Sequence, residues 1–422
     1  MSDHWNAERS EQWSSERSEP VAVGPPRRRL SRAERALERR SARRRRVFSI
    51  AALATLIVVV IGVVFLGSRL WHGMFGGTSD FAGEGVADIV VEVHSGDSTT
   101  AIGQTLAEQN VVSSSKAFVE AAASNPAIAA IQPGFYKLRT EIPASSAVEK
   151  LADPQSRVGQ MVIPEGRQLD DVADVKTDAV TKGILSLISD ASCIDLDGDR
   201  ACVSAEDLKE AAGNADLSAL SVPAWASAPV TAMGSDHRRL EGLIAPGSWN
   251  VNPSGSAEEI LGSLIGASTA LYEANGLLAA AETAALTPYE ILVVASLVQR
   301  ESLPQDFTKV ARVIFNRLDV GQKLEFDSTV NYSLDRTEVA TTDADRARVT
   351  PWNTYASPGL PKTPICSPGG PALTAAENPE PGDWLYFVTI DLQGTTLFTR
   401  DYEQHLASIE LARKNGVLDS AR

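Results

Sequence analysis

The stretch from Thr287 to Ser302, TPYEILVVASLVQRES, decides how the rest of the chain is read. Thr287 followed three positions later by Glu290 is a capping box, and Pro288 occupies the first helical position, where a missing N–H costs nothing. Ile291 to Val298 is almost wholly apolar, so this helix is expected inside a larger fold rather than on its surface. Leu303-Pro304 stops it. The polar run Gln299-Arg300-Glu301-Ser302 at the end of such a helix needs a reason. Glu301 sits where the helix dipole is negative and where burial penalises a carboxylate. Both effects raise its pKa toward the range useful to a general acid near neutral pH. Arg300 opposes this only if it pairs with Glu301, and adjacent helical residues point apart.

Outward from that helix, the 422 residues are 43% hydrophobic and carry a net charge of −15, enough for two or three folded units with real cores. The charge is uneven. Residues 1–46 hold 13 Arg and no Lys against 7 acidic residues, leaving an acidic remainder that argues against nucleic-acid binding. Three cysteines, five histidines and no CxxC or HExxH spacing leave no zinc or haem signature, and no metal or cofactor is expected. A GxSxG elbow and a P-loop are also missing.

Val47 to Gly67 is an uncharged run of 21 residues, long enough for one transmembrane helix. The arginines before it, ending in Arg43 to Arg46, place residues 1–46 in the cytoplasm as a disordered tail and everything beyond outside the cell membrane. A cleaved signal peptide fits less well, because the run is too long and no A-x-A site follows. Residues 68–87 read as a flexible linker.

From Ala87 the pattern alternates. Asp88 to Val93 reads as a strand, Thr100 to Gln109 as a short helix, Phe118 to Ala122 as a second helix capped within Ser113 to Ser115, and Phe135 to Leu138 as a second strand. This strand–helix–helix–strand order resembles a LysM-type, glycan-gripping module over residues 88–156, although a plain packing domain has the same pattern. Residues 157–422 then form an α+β domain containing the 287–302 helix. Within it residues 176–235, rich in Ala, Ser and Asp, read as a variable insertion or peripheral subdomain. Extracytoplasmic placement allows a disulfide between Cys193 and Cys202, with Cys366 left as a buried thiol. Asp195, Asp197, Asp199 and Glu206 have some of the spacing of a calcium loop. Arg200 stands where such loops need Gly, which favours a solvated acidic turn.

The other polar motif residues each have two readings. Glu241 lines a cleft or caps a turn. Asn316 at the end of VIFNRL is a ligand or an ordinary polar helix end. Asp327, Ser328 and Thr329 bind sugar hydroxyls or cap the segment that follows. Asn353, Thr354 and Tyr355, between Pro351 and Pro358, supply the amide, hydroxyl and aromatic face of a glycan cleft or the groups of a well-packed turn.

Taken in order, GFYKLR (134–139), VIPEGRQL (162–169), LEGLIAPGSWNV (240–251), ASLVQRES, VARVIFNRL, LEFDSTVNY, TPWNTY, GLPKTPICSPGGPALTAAENP and WLYFV resemble the endolytic murein transglycosylase family, called YceG-like, over roughly residues 88–410. The resemblance implies a single-pass membrane protein whose LysM-like subdomain precedes the catalytic domain, with Glu301 as the catalytic residue. Its substrate would be peptidoglycan, its product a 1,6-anhydromuramyl end, and its partners the peptidoglycan synthases whose strands it terminates. The chain departs from the family at Gln299, where an acidic residue is common, at the Gly359 to Ile365 loop, and at Thr396, where a histidine is common. A muramidase-type hydrolase would need a second carboxylate, for which Glu241, Glu325 and Asp327 are candidates. A non-catalytic glycan-binding scaffold is the alternative of a different class.

Overall fold

The computed structural model describes residues 80–174, 177–334, 336–337 and 341–417. The basic tail, the apolar run 47–67 and residues 68–79 of the linker lie outside the described residues. Strand β1 (Asp88–Val93), helix α1 (Thr99–Glu108), helix α2 (Ser115–Ala123), strand β2 (Gly134–Arg139), helix α3 (Ala144–Ala152) and strand β3 (Arg157–Val158) come first. The β1 and β2 strands pair antiparallel from Asp88↔Arg139 to Val93↔Gly134, and β3 extends the sheet beside β2. Ser98 and Ser114 accept hydrogen bonds from the first turns of α1 and α2, the second within the Ser113 to Ser115 run where a cap is expected. Val91, Leu106, Phe118, Tyr136, Leu138 and Leu151 close a small core of their own.

The larger part continues with β4 (Gln160–Ile163), β5 (Val172–Asp174), β6 (Val180–Thr181), α4 (Ile184–Ser192), β7 (Ile194–Leu196), β8 (Asp199–Ala201), α5 (Ala205–Asn214), α6 (Ala224–Ala232) and β9 (Gly247–Asn250). After these come α7 (Ala257–Ala274), α8 (Leu277–Ala284), α9 (Pro288–Glu301), α10 (Phe307–Asp319), α11 (Asp327–Asn331), β10 (Arg336–Thr337), α12 (Asp343–Ala347) and α13 (Gly370–Glu377). The order closes with β11 (Tyr386–Thr389), β12 (Thr396–Thr399) and α14 (Tyr402–Lys414). The strands pair in small sheets, β4 with β9, β5 between β6 and β10, and the β11–β12 hairpin, so the fold is α+β as expected.

Residues 176–235 are not a peripheral appendage. Ile184, Leu185 and Ile188 of α4, with Leu208, Ala211 and Ala212 of α5, enter the same core as α9. Their spacings are helical; the surrounding Ala, Ser and Asp hid them in the composition. Cys193 and Cys202 are disulfide-bonded across the base of the β7–β8 hairpin, and Cys366 is free and buried. The acidic turn of that hairpin bonds to the first module: Asp197 Oδ2 accepts from the Asp88 amide (3.0 Å) and Asp88 Oδ2 from the Asp197 amide (2.9 Å).

Helix α9 is the axis of the main core. Tyr289 and Ile291 through Val298 are all buried, packed among α8, α10 and α13. Among the described residues no single helix is long and apolar enough to cross a membrane; α8 and α9 together have the composition but meet at 95°.

Candidate active site

Helix α9 carries Glu301 from the core to its edge. Its start is fixed as the capping box requires, with the Thr287 amide donating to Glu290 Oε2 (2.8 Å) and the Glu290 amide to Thr287 Oγ1 (3.2 Å). Two polar side chains on the helix anchor the loop after residue 363. Ser296 Oγ accepts from the Ile365 amide (3.1 Å), and Gln299 Oε1 accepts from the Gly369 amide (2.9 Å). A Cβ on Gly369 would lie 2.1 Å from the Glu165 carboxyl carbon, so the Glu165 side chain of the VIPEGRQL segment packs directly on this loop. Gln299 therefore serves as a loop anchor, the work of a neutral acceptor.

Glu301 itself is half-buried and receives a hydrogen bond from the Ser328 hydroxyl. Burial raises its pKa from 4.5 to about 7; the Ser328 bonds and Arg300 oppose the shift, and the negative charge of Asp327 reinforces it. A carboxyl group with that pKa is protonated and ionised in comparable amounts at neutral pH, as alternating acid and base roles require.

Asp327 is the second carboxylate nearby, and its oxygens are already occupied. They accept from the Thr341 hydroxyl (2.7 Å), the Tyr355 hydroxyl (2.9 Å), Arg346 Nε (3.3 Å) and Arg346 Nη2, which reaches both oxygens (3.1 and 3.2 Å). The Arg346 guanidinium lies 4.9 Å from the Tyr355 ring centroid, closing the network. Glu301, Ser328, Asp327 and Tyr355, all singled out in the sequence, are thus brought together. Arg346 and Thr341 were missed; they sit in a stretch without motif or periodicity, and nothing short of the folded loop reveals them.

The remaining sequence candidates lie elsewhere or face inward. Asn353 is 2% exposed, donates to the carbonyls of Asp345 (3.2 Å), Arg346 (3.0 Å) and Arg348 (2.6 Å), and accepts from the Tyr355 amide (2.9 Å). It organises the loop that delivers Tyr355. Thr329 and Thr354 share a buried hydroxyl–hydroxyl bond of 2.9 Å behind the site. Asn316 donates to the carbonyls of Gly382 (3.2 Å) and Trp384 (2.8 Å), holding the approach to the β11–β12 hairpin. Glu325 is exposed, in left-handed backbone with φ 51°. Glu241 is 1% exposed and forms an inner wall of a polar cavity of about 270 Å³ with Gln168, Asp170, Lys209 and Arg238. A neighbouring cavity of about 350 Å³ runs between Glu165, Gln168, Asp174 and Arg300. Among the described residues no cluster of three or more His, Cys, Asp or Glu side chains could hold a metal ion.

A buried helix ending on a near-neutral carboxyl, beside a second carboxylate paired with Arg346, is the apparatus of an acid–base enzyme. The sequence profile of the YceG-like family matches residues 91–411, and the chain belongs to that family. A protein of Bacillus subtilis named endolytic murein transglycosylase is 26% identical over 321 residues, covering 75% of this chain and 82% of the relative. A Streptococcus pneumoniae protein of the same name is 24% identical over 298 residues, covering 65% of this chain; the match spans about half of that longer relative, 49%. A crystal structure of a YceG-like protein from Listeria monocytogenes matches with a TM-score of 0.45 and 23% identity, covering 76% of this chain and 98% of that one.

Proposed function

We propose that the chain is an endolytic peptidoglycan lytic transglycosylase, a lyase that cleaves the bond between N-acetylmuramic acid and N-acetylglucosamine in nascent glycan strands. The observation that carries this reading is the pairing of one carboxyl group near pKa 7 with a second that is already tied to Arg346. The names of the relatives from Bacillus subtilis and Streptococcus pneumoniae support it. Protonated Glu301 donates to the glycosidic oxygen as the bond to the muramyl carbon breaks. The ionised Glu301 then takes the proton from the sugar's own C6 hydroxyl as that oxygen bonds to the oxocarbenium-like carbon. The product is a 1,6-anhydromuramyl end, and no water is consumed. A hydrolase needs a second carboxylate free to activate water or attack the sugar, and Asp327, held by four donors, is poorly suited to either role.

Mass spectrometry of digested glycan tests this directly. The expected muropeptides are lighter by one water than those of a muramidase and unchanged by borohydride; reducible ends would establish the hydrolase instead. Glu301→Gln keeps the shape without the proton, and should lose about two to four orders of magnitude in rate. Full activity in that variant would mean that Glu301 is not the acid, whereas an inactive variant that still complements a deletion strain would favour the scaffold reading.

The same proposal places residues 47–67 across the cell membrane as a single span, residues 1–46 in the cytoplasm and the enzyme outside, near the synthases. The arginine bias of the sequence supports this orientation. Protease added to spheroplasts should digest the acidic domain and spare the tail; survival of that domain would reverse the topology. The separate core and βααβ order of residues 88–156 support a LysM-like, glycan-holding role for that module.

A further inference from the structure

We infer that Glu241 is a positioning residue for Glu301, acting through Tyr332 and the short helix α11. The inference rests on the reading of Glu301 as the acid. Glu241 Oε2 accepts two hydrogen bonds, one from the Tyr332 hydroxyl (2.7 Å) and one from the Leu169 amide (3.1 Å). Tyr332 closes α11: its amide donates to the carbonyl of Ser328 (3.0 Å), one turn back. Ser328 is the residue whose hydroxyl bonds Glu301. The path from Glu241 to Glu301 is therefore continuous, through one side-chain bond, one helical turn and a second side-chain bond.

Both ends of this path are rigid. Tyr332 is wedged edge-on against Trp352 (5.1 Å between centroids), whose ring is covered by the Arg238 guanidinium at 4.1 Å and whose N–H is fixed on Thr363 Oγ1 (2.8 Å). Glu241 is held by the turn after it. Gly242 has φ +76°, and a Cβ there would lie 2.5 Å from Pro364. A five-residue helix cannot hold its own register in isolation, because so short a segment has barely passed nucleation. Side-chain ties at its ends must do so. Leu169 extends the same carboxylate's grip to the segment that lines the cavity beside Arg300. One buried oxygen thus sets the spacing between two walls flanking the end of α9.

Both bonds fall on the same oxygen, and among the described residues the other, Oε1, has no hydrogen-bond partner. A glutamine can therefore keep both bonds, whereas leucine loses both. Tyr332→Phe removes one while keeping the ring against Trp352. In none of these variants are the charged and titratable groups facing Glu301 (Asp327, Arg300, Arg317 and Tyr355) altered.

The test compares Tyr332→Phe, Glu241→Leu, Glu241→Gln and Glu301→Gln in the full chain, assayed on purified uncross-linked glycan strands. For Tyr332→Phe and Glu241→Leu, kcat should fall about tenfold, less than the hundredfold of a full ångström's displacement, with KM within about twofold of wild type. The alkaline limb of the kcat–pH profile should rise by about half a pH unit, because a loosened Ser328 stabilises the Glu301 carboxylate less. Glu241→Gln should recover kcat to within about threefold. Wild-type kcat and alkaline limb in Tyr332→Phe overturn the inference, as does a kcat loss with an unmoved limb, which signals a merely structural role. A Glu241→Gln protein as impaired as Glu241→Leu also overturns it. Should Glu301→Gln itself remain active, it is the reading of Glu301 as the acid that fails, a separate result.

Discussion

Replacing Glu301 with glutamine should make the protein more stable at alkaline pH while disabling it. Burial raises the Glu301 pKa from 4.5 to about 7 in the folded chain. Between those values the native state binds more protons than the unfolded state, so this group's contribution to stability falls as pH rises. The rise from 4.5 to about 7 corresponds to about 3.5 kcal/mol at about 1.4 kcal/mol per pH unit. Roughly a quarter of that is already lost at pH 5, because the unfolded carboxyl is then mostly ionised, leaving about 2 to 3 kcal/mol between pH 5 and pH 8. Glutamine has nearly the same shape and no titration, so it should remove this slope. Glu241, also raised to about 7 by burial, contributes a similar slope of its own to both proteins and cancels in the comparison. The assay is urea unfolding of wild type and Glu301→Gln at pH 5 and pH 8. The stability difference should shift in favour of the variant by about 2 to 3 kcal/mol over that interval. The same difference at both pH values would mean that Glu301 is not desolvated, and the argument for its acid role would lose its physical basis.

Arg346→Met should raise the alkaline limb of the kcat–pH profile by about half to one unit, because Asp327 would then face Glu301 as an unpaired like charge; an unmoved limb would detach Asp327 from the site. Reducing the Cys193–Cys202 bridge, which closes a loop between residues nine positions apart, should destabilise the chain by about 2 to 3 kcal/mol in chemical unfolding. Non-reducing mass spectrometry of protein from the native compartment should find that pair joined and Cys366 free. Gly242→Ala adds a methyl group 2.5 Å from Pro364 in left-handed backbone, and should cost about 2 to 4 kcal/mol in the same unfolding assay. A neutral effect would show that the turn carrying Glu241 is more compliant than its geometry indicates.

The helix that carries Glu301 was legible because everything that makes it is local. Thr287, Pro288 and Glu290 start it, eight apolar residues bury it, and Leu303-Pro304 ends it, all within one window. The first module was legible for the same reason, its strands falling within a residue or so of the expected ends and the cap of its second helix at Ser114, inside the expected serine run. The polar loops were not, because a buried loop must pair its own backbone groups, and the side chains that do this are the ones a glycan cleft would use. Asn353 looks like a sugar ligand from its neighbours in sequence, yet its amide N–H groups go to three carbonyls of the preceding segment. Asn316 does the same for the approach to the terminal hairpin. Tyr355, two residues from Asn353, instead turns its hydroxyl to Asp327. No spacing rule separates the two, since the difference lies in where residues 341–348 pass. Gln299 shows the converse. Read against its family it is a missing acid, but in the fold the position requires an acceptor for the Gly369 amide, which an amide oxygen supplies as well as a carboxylate. A carboxylate there would add a like charge two residues before Glu301 and bias it further toward its protonated form. The neutral side chain keeps the loop anchored and leaves the pKa of Glu301 to burial, Ser328 and Asp327.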